Sequence, residues 1–201
     1  MIDLTEVRDF YNEHFYSEND AAHNLEHVDA VYAESLALRE RLDMDIPDDS
    51  LIMAVYTHDI FSTLNRARHH VLAHDYVLSR SNKYFRMFSD DELRDIAIAV
   101  FYHRASVTPT NELTSLQRVV RLADRGKPDI NRIAKRSLSY TIAKGSSNPI
   151  EVSMKHIKDK YGRGGYAASD LDYQATYGPE LLEMWEIMDT LDVAQMELLC
   201  Q

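Results

Sequence analysis

Apolar residues recur every three to four positions along almost the whole chain, and this period constrains the fold more than any other feature of the sequence. Such spacing gives each helix one apolar stripe to bury. The expected helices are 3–16, 24–43, 49–60, 65–80, 90–104, 112–125, 129–144, 149–161 and 178–199. In the first, Leu4, Val7, Phe10, Tyr11 and His14 share a face; in the fourth, Val71, Leu72, Tyr76, Val77 and Leu78 point inward. The breaks carry helix punctuation: Pro47 followed by acids, Ser89-Asp90-Asp91-Glu92 in the Ser-x-x-Glu capping pattern, Gly126 after Arg125, and Lys144-Gly145-Ser146-Ser147. Short Val/Ile runs at 96–101 and 119–122 fit helix as well as strand, and no strand pattern stands out. Six Gly and five Pro in 201 residues favour long elements and short loops. The reading is an all-α chain of about eight or nine helices, forming a single domain over 1–201.

Charge and cysteine usage narrow the chemistry. A formal charge of −11 argues against a general nucleic-acid coat, which relies on many Lys and Arg phosphate contacts. It leaves room for a small phosphorylated substrate held by a local cluster. The single cysteine, Cys200, excludes an internal disulfide and a thiol-based metal site. No run of about 18 apolar residues suits a membrane span, and the N-terminus carries acids where a signal peptide carries bases. A soluble cytoplasmic protein is expected, with no membrane partner, no stable nucleic-acid binding, and homo-oligomerisation left open.

The apolar run Leu51-Ile52-Met53-Ala54-Val55-Tyr56-Thr57 ends in His58-Asp59. Upstream lies His23-Asn24-Leu25-Glu26-His27; downstream lie His69-His70, His74, His103 and Asp124. His23 and His27, four apart, face the same way on a helix. His58 and Asp59 at a helix end can converge on one ion. An ionisable group at the end of an apolar helix costs several kcal/mol when unpaired. Metal ligation is the simplest compensation shared by His27, His58, Asp59 and Asp124. Imidazole and carboxylate together suit Mn, Fe, Co, Ni or Zn better than a carboxylate-only Mg site, although Mg is not excluded. Asp59 can bridge two ions.

His27, His58-Asp59 and Asp124 resemble the H…HD…D signature of the HD superfamily of metal-dependent phosphohydrolases, and His23-Asn24-x-x-His27 resembles the HNxxH element of cyclic-nucleotide phosphodiesterases. The resemblance covers the motif core 20–126 and leaves 127–201 as a helical C-terminal extension, a candidate substrate lid. It implies an HD-domain helical bundle. It implies His27, His58, Asp59 and Asp124 as metal ligands, with Asp59 also central to catalysis, and His23 as the proton donor to the leaving oxygen. In two-metal members further His ligands come from the helices between HD and the last Asp, and His69 and His103 are the best placed here. His69-His70-Val71-Leu72-Ala73 resembles an HPxxG stretch without its Pro and Gly, so His70 and His74 compete with His69. One or two divalent ions are therefore expected. The implied substrate is a nucleotide or a related small phosphorylated metabolite. A di-iron HD-type oxygenase and a non-catalytic nucleotide-binding module are the alternatives.

Arg104 follows His103, and Lys127 follows Asp124-Arg125-Gly126; both are candidate phosphate contacts of the catalytic site. Lys155, Lys158, Lys160 and Arg163 form a basic island beside Gly162-Arg163-Gly164-Gly165. That loop lacks the GxxxxGK[ST] spacing of a P-loop.

Overall fold

The computed structural model describes residues 1–19 and 23–200; the first residues of the expected motif core, 20–22, lie outside the described residues. Among those described, ten α-helices and no strand occur. The chain divides into two compact units, 1–126 and 127–201.

The first unit holds α1 (Leu4–Tyr11), a π-helical turn (Asn12–Tyr16), α2 (Leu25–Arg41), α3 (Asp48–Thr57), α4 (His69–Leu78), a 3-10 turn (Lys83–Met87), α5 (Asp90–Tyr102) and α6 (Ser115–Arg125). Its centre is α3, in which every residue from Ser50 to Thr57 is buried. A helix apolar on all sides must be surrounded, and α1, α2, α5 and α6 pack around this one, with α4 against α5. Leu51, Met53, Val55, Ile96, Val100, Val119 and Leu122 form the core. Each such side chain contributes about 1.5–3 kcal/mol on burial. Replacing Leu51 by Ala costs about 2–5 kcal/mol.

The ends of the helices follow their capping chemistry. Asn24 caps α2 by accepting the His27 backbone N–H at 3.1 Å. Ser89 and Glu92 form the expected capping box on α5, and Thr114 with Gln117 forms another on α6. Gly126 ends α6 with φ 67°, a left-handed value that favours glycine. The end of α3 is fixed from outside. Tyr16 Oη donates to the Tyr56 carbonyl at 2.9 Å, and Tyr11 Oη and Thr57 Oγ1 are 3.0 Å apart. Tyr56 Oη donates to Asp29 at 2.8 Å, and Arg8 grips the same carboxylate.

Several expected boundaries are corrected. The first helix stops being α-helical at Tyr11, and the wider π turn that follows carries Tyr16 to the Tyr56 carbonyl; a long-range contact sets it, so periodicity does not reveal it. His14 is exposed rather than inward, with its ring stacked on Phe10. The fourth helix starts at His69, not residue 65, and buries His69, His70, Ala73 and Val77, leaving Leu78 exposed.

The second unit comprises α7 (Ile130–Ala143), α8 (Pro149–Tyr161), α9 (Leu171–Thr190) and α10 (Val193–Leu199), with α7, α8 and α10 in mutual contact. The expected helix 178–199 is instead two. Asp192 and Gln195 form a capping box that starts α10. α9 begins earlier and is kinked at Tyr177, because Pro179 cannot donate to the Ala175 carbonyl. In the basic island, Lys155 pairs with Asp159, Lys158 donates to the Leu191 carbonyl, and Arg163 pairs with Asp189 while lying over Trp185. No helix among the described residues is long and apolar enough to cross a membrane.

Candidate metal centre

Five helix ends of the first unit deliver the His and Asp side chains. His27 lies one turn into α2, His58-Asp59 directly follow α3, His69 opens α4, His103 ends α5, and Asp124 stands in the last turn of α6. Their ligand atoms fall into two groups. In the first, His27 Nε2 is 3.2 Å from Asp124 Oδ1 and 3.7 Å from Asp59 Oδ2. His58 Nε2 is 3.5 Å from Asp59 Oδ2 and 3.7 Å from Asp124 Oδ1. In the second, Asp59 Oδ1 is 3.2 Å from His69 Nε2 and 3.5 Å from His103 Nε2. The two oxygens of Asp59 thus face different groups. Asp124, with 20% of its side chain exposed, is the member of the first group that solvent reaches most.

Three of the imidazoles are oriented by one repeated device. His58 Nδ1 bonds the Val55 carbonyl at 2.6 Å, His103 Nδ1 the Val100 carbonyl at 2.6 Å, and His69 Nδ1 the Arg66 carbonyl at 2.9 Å. A carbonyl only accepts, so each Nδ1 carries its proton and each Nε2 of a neutral ring presents a lone pair. The His69 and His103 Nε2 atoms are 3.0 Å apart. Two ring nitrogens that close, with a carboxylate oxygen beside them, need a cation between them, either a shared proton or a metal ion. His58 Nε2 and Asp59 Oδ1 are buried and make no hydrogen bond. Buried polar atoms are seldom left so. The donor set of imidazole nitrogens and carboxylate oxygens therefore fits one ion in each group, and orienting a ligand His through its other nitrogen is usual for metal sites.

The charges are mutually adjusted. Burial opposes protonation of His58, but the Asp59 and Asp124 carboxylates outweigh it and raise the ring to about 9. Burial also opposes ionisation of Asp59 and Asp124, yet the imidazoles facing them hold both carboxyls well below their usual range. Burial, with the charge of His58, lowers His103. His70 is lowered to about 4, by burial first and then by His103, His69, Arg104 and Arg68. The second group thus has cationic neighbours on the His70 side.

His69, rather than His70 or His74, is brought to Asp59. His70 packs against the Phe101 ring, and His74 pairs with the neighbouring Asp75. His23 is buried, with its ring centroid 6.3 Å from that of His27. Arg104 donates from Nη1 to the Ala67 carbonyl at 2.7 Å. Lys127 opens the second unit, where its ammonium pairs with Glu180 at 3.2 Å. Two supporting residues escaped sequence reasoning. Tyr16 caps the end of α3 beside His58. Arg121, almost fully buried, bonds the backbone that carries His103. Each looks in sequence like an ordinary helix residue.

No protein-family model matches the chain, and no curated protein does. Among solved structures it is similar to a crystal structure described as a predicted HD superfamily hydrolase from an uncultured Thermotogales bacterium, at 20% identity and a TM-score of 0.51, over 76% of this chain and 83% of that one. At that identity the likeness is one of fold: this chain shares an all-helical fold with that structure.

Proposed function

We propose that the protein is a metal-dependent phosphohydrolase that cleaves a phosphoester of a nucleotide or a related small phosphorylated metabolite. The observation that carries this reading is Asp59, whose two oxygens each face a separate set of imidazole nitrogens. His27, His58, Asp59 and Asp124 would hold one ion, and Asp59, His69 and His103 the other. Divalent ions so held would supply an acidified water at neutral pH and neutralise phosphoryl charge. Four imidazoles with two carboxylates favour Mn, Fe, Co, Ni or Zn over Mg.

The chain's own groups do the remaining work. Asp59 would offer one oxygen to each position, Oδ2 on the His58 side and Oδ1 on the His69 side. The carbonyls of Val55, Arg66 and Val100 keep three rings in the tautomer that presents Nε2. His23, buried next to His27, holds a proton at a ring nitrogen for the departing oxygen. Arg68 and Arg104, whose charges add to burial and to His103 and His69 in lowering His70, favour the approach of an anion. Arg104 keeps further N–H donors beyond the one given to Ala67.

The test is a turnover screen of nucleotides, cyclic nucleotides and phosphomonoesters with Mn, Fe, Co, Ni, Zn or Mg added separately. Phosphate or nucleoside release is expected with a transition metal, and loss of both metal and turnover in Asp59→Ala. Full activity in that variant would contradict the proposal. The convergence of all six ligand residues also suits the di-iron oxygenase reading. Oxygen consumption by iron-loaded protein, without phosphate release, would favour it instead.

A further inference from the structure

Arg121 lies in the middle of α6, and only 3% of it is exposed. Its Nη1 meets the carbonyls of Tyr102 at 2.6 Å, Arg104 at 3.0 Å and Val107 at 2.9 Å, and its Nη2 meets that of Ala105 at 3.5 Å. These four carbonyls belong to the last residue of α5 and the loop that follows it. The final carbonyls of a helix have no partner within it and form its negative end, where a guanidinium is well placed. Arginine presents five N–H donors in a fixed planar fork, so one side chain can hold several peptide groups at once.

His103 sits between two of the peptides so held. The Tyr102 carbonyl precedes it and the Arg104 carbonyl follows it, while its own Nδ1 bonds the Val100 carbonyl. The hold continues outward. Arg104, whose backbone Arg121 fixes, donates its own guanidinium to the Ala67 carbonyl, two residues before His69. One path of bonds thus runs from Arg121 through the segment 102–107 and Arg104 to the start of α4. It reaches both histidines of the second group, whose Nε2 atoms are 3.0 Å apart. The first group is fixed by other means: Tyr16 at the end of α3 and Asn24 at the start of α2.

We propose that Arg121, with Arg104 as its relay, is a positioning residue for the ion held by Asp59, His69 and His103, and has no comparable part in holding the other ion. This rests on the two-ion reading above. Losing a partner that orients a metal ligand typically weakens affinity about 10- to 100-fold. The expected signature is selective weakening of one ion.

Equilibrium dialysis against Mn alone, with electron paramagnetic resonance of the bound ions, tests it on wild type, Arg121→Met, Arg121→Lys, Arg104→Met and His103→Ala. Wild type should bind two ions with a spin-coupled signal. Arg121→Met should keep one tight ion, bind the second about 10- to 100-fold more weakly, and show an uncoupled signal. Arg121→Lys should lie between, since one ammonium cannot serve all four carbonyls. Arg104→Met should weaken the same ion by less. Adding Arg121→Met to His103→Ala should weaken metal binding no further. Equal weakening of both ions, or no change in folded Arg121→Met or in Arg104→Met, would overturn the proposal. Failure of both Arg121 variants to fold would also overturn it, by making Arg121 a residue of the fold rather than of the site. Fewer than two ions in wild type would instead overturn the two-ion reading, and this inference with it.

Discussion

Asp59→Asn keeps the shape of the central carboxylate and removes its charge, which makes it the sharpest single perturbation of the site. In metal-free protein the consequence falls first on His58. Burial, the largest influence on that ring, opposes protonation; the Asp59 charge is next and favours it, followed by Asp124. Together they lift His58 from its ordinary 6.5 to about 9, a difference worth about 3 kcal/mol. Without the Asp59 charge, burial faces only Asp124 and the Val55 carbonyl, so the His58 pKa should fall. The linked stability has a definite sign. The folded state raises this pKa, so the stabilisation is complete below pH 6.5 and is lost as pH rises through about 9. Asp59 and Asp124, whose pKa values are depressed, contribute above the usual carboxylate range and are constant over this interval. His103, also depressed, changes its contribution only below about pH 6.5. Chelator-treated wild type should therefore lose about 3 kcal/mol between pH 6.5 and 9, and Asp59→Asn much less. NMR titration of the His58 ring and denaturant unfolding at several pH values read the two effects. A variant ring still titrating near 9, or a wild type that gains stability over that interval, would refute the reasoning.

Two further outcomes follow from the supports of the site. Asn24→Ala removes the N-cap of α2 and should cost about 1 kcal/mol, seen as a Tm lower by about 2–4 °C; a Tm unchanged with Mn present and absent would count against the capping role. Tyr16→Phe strands the Tyr56 carbonyl in the core, a loss of about 1–3 kcal/mol. It should weaken Mn at the His27–His58 position more than at the His69–His103 position, and equal weakening would show that Tyr16 supports the fold as a whole.

What sequence makes legible here is what local chemistry dictates. The fifth helix could be read from Ser89 and Glu92, which satisfy each other's backbone at 2.8 and 3.4 Å. The end of α6 could be read from Gly126. The convergence of His58 and Asp59 follows from their place at the end of an apolar helix, and the order of His27, His58-Asp59 and Asp124 supplied the rest of the first group. The second group was legible only as alternatives. His69, His70 and His74 differ by small steps around one helix, and the choice depends on where α4 begins, which is set by turns between Asp59 and His69 rather than by periodicity. Arg121 and Tyr16 were not legible at all. Each acts by meeting backbone carbonyls of another segment, 14 to 19 residues away for Arg121 and 40 for Tyr16. Carbonyl acceptors carry no side-chain signature. The kink at Tyr177 was within reach, because Gly178-Pro179 marks it, but the apolar period continues across the break.

The central claim is that Asp59 stands between two ions. Anomalous diffraction at the manganese edge, from crystals of Mn-loaded protein, tests it most directly. Two peaks are predicted, one against Asp59 Oδ2 among His27, His58 and Asp124, the other against Asp59 Oδ1 with His69 and His103. A single peak with His69 and His103 away from any ion, or no peak at Asp59, would contradict it.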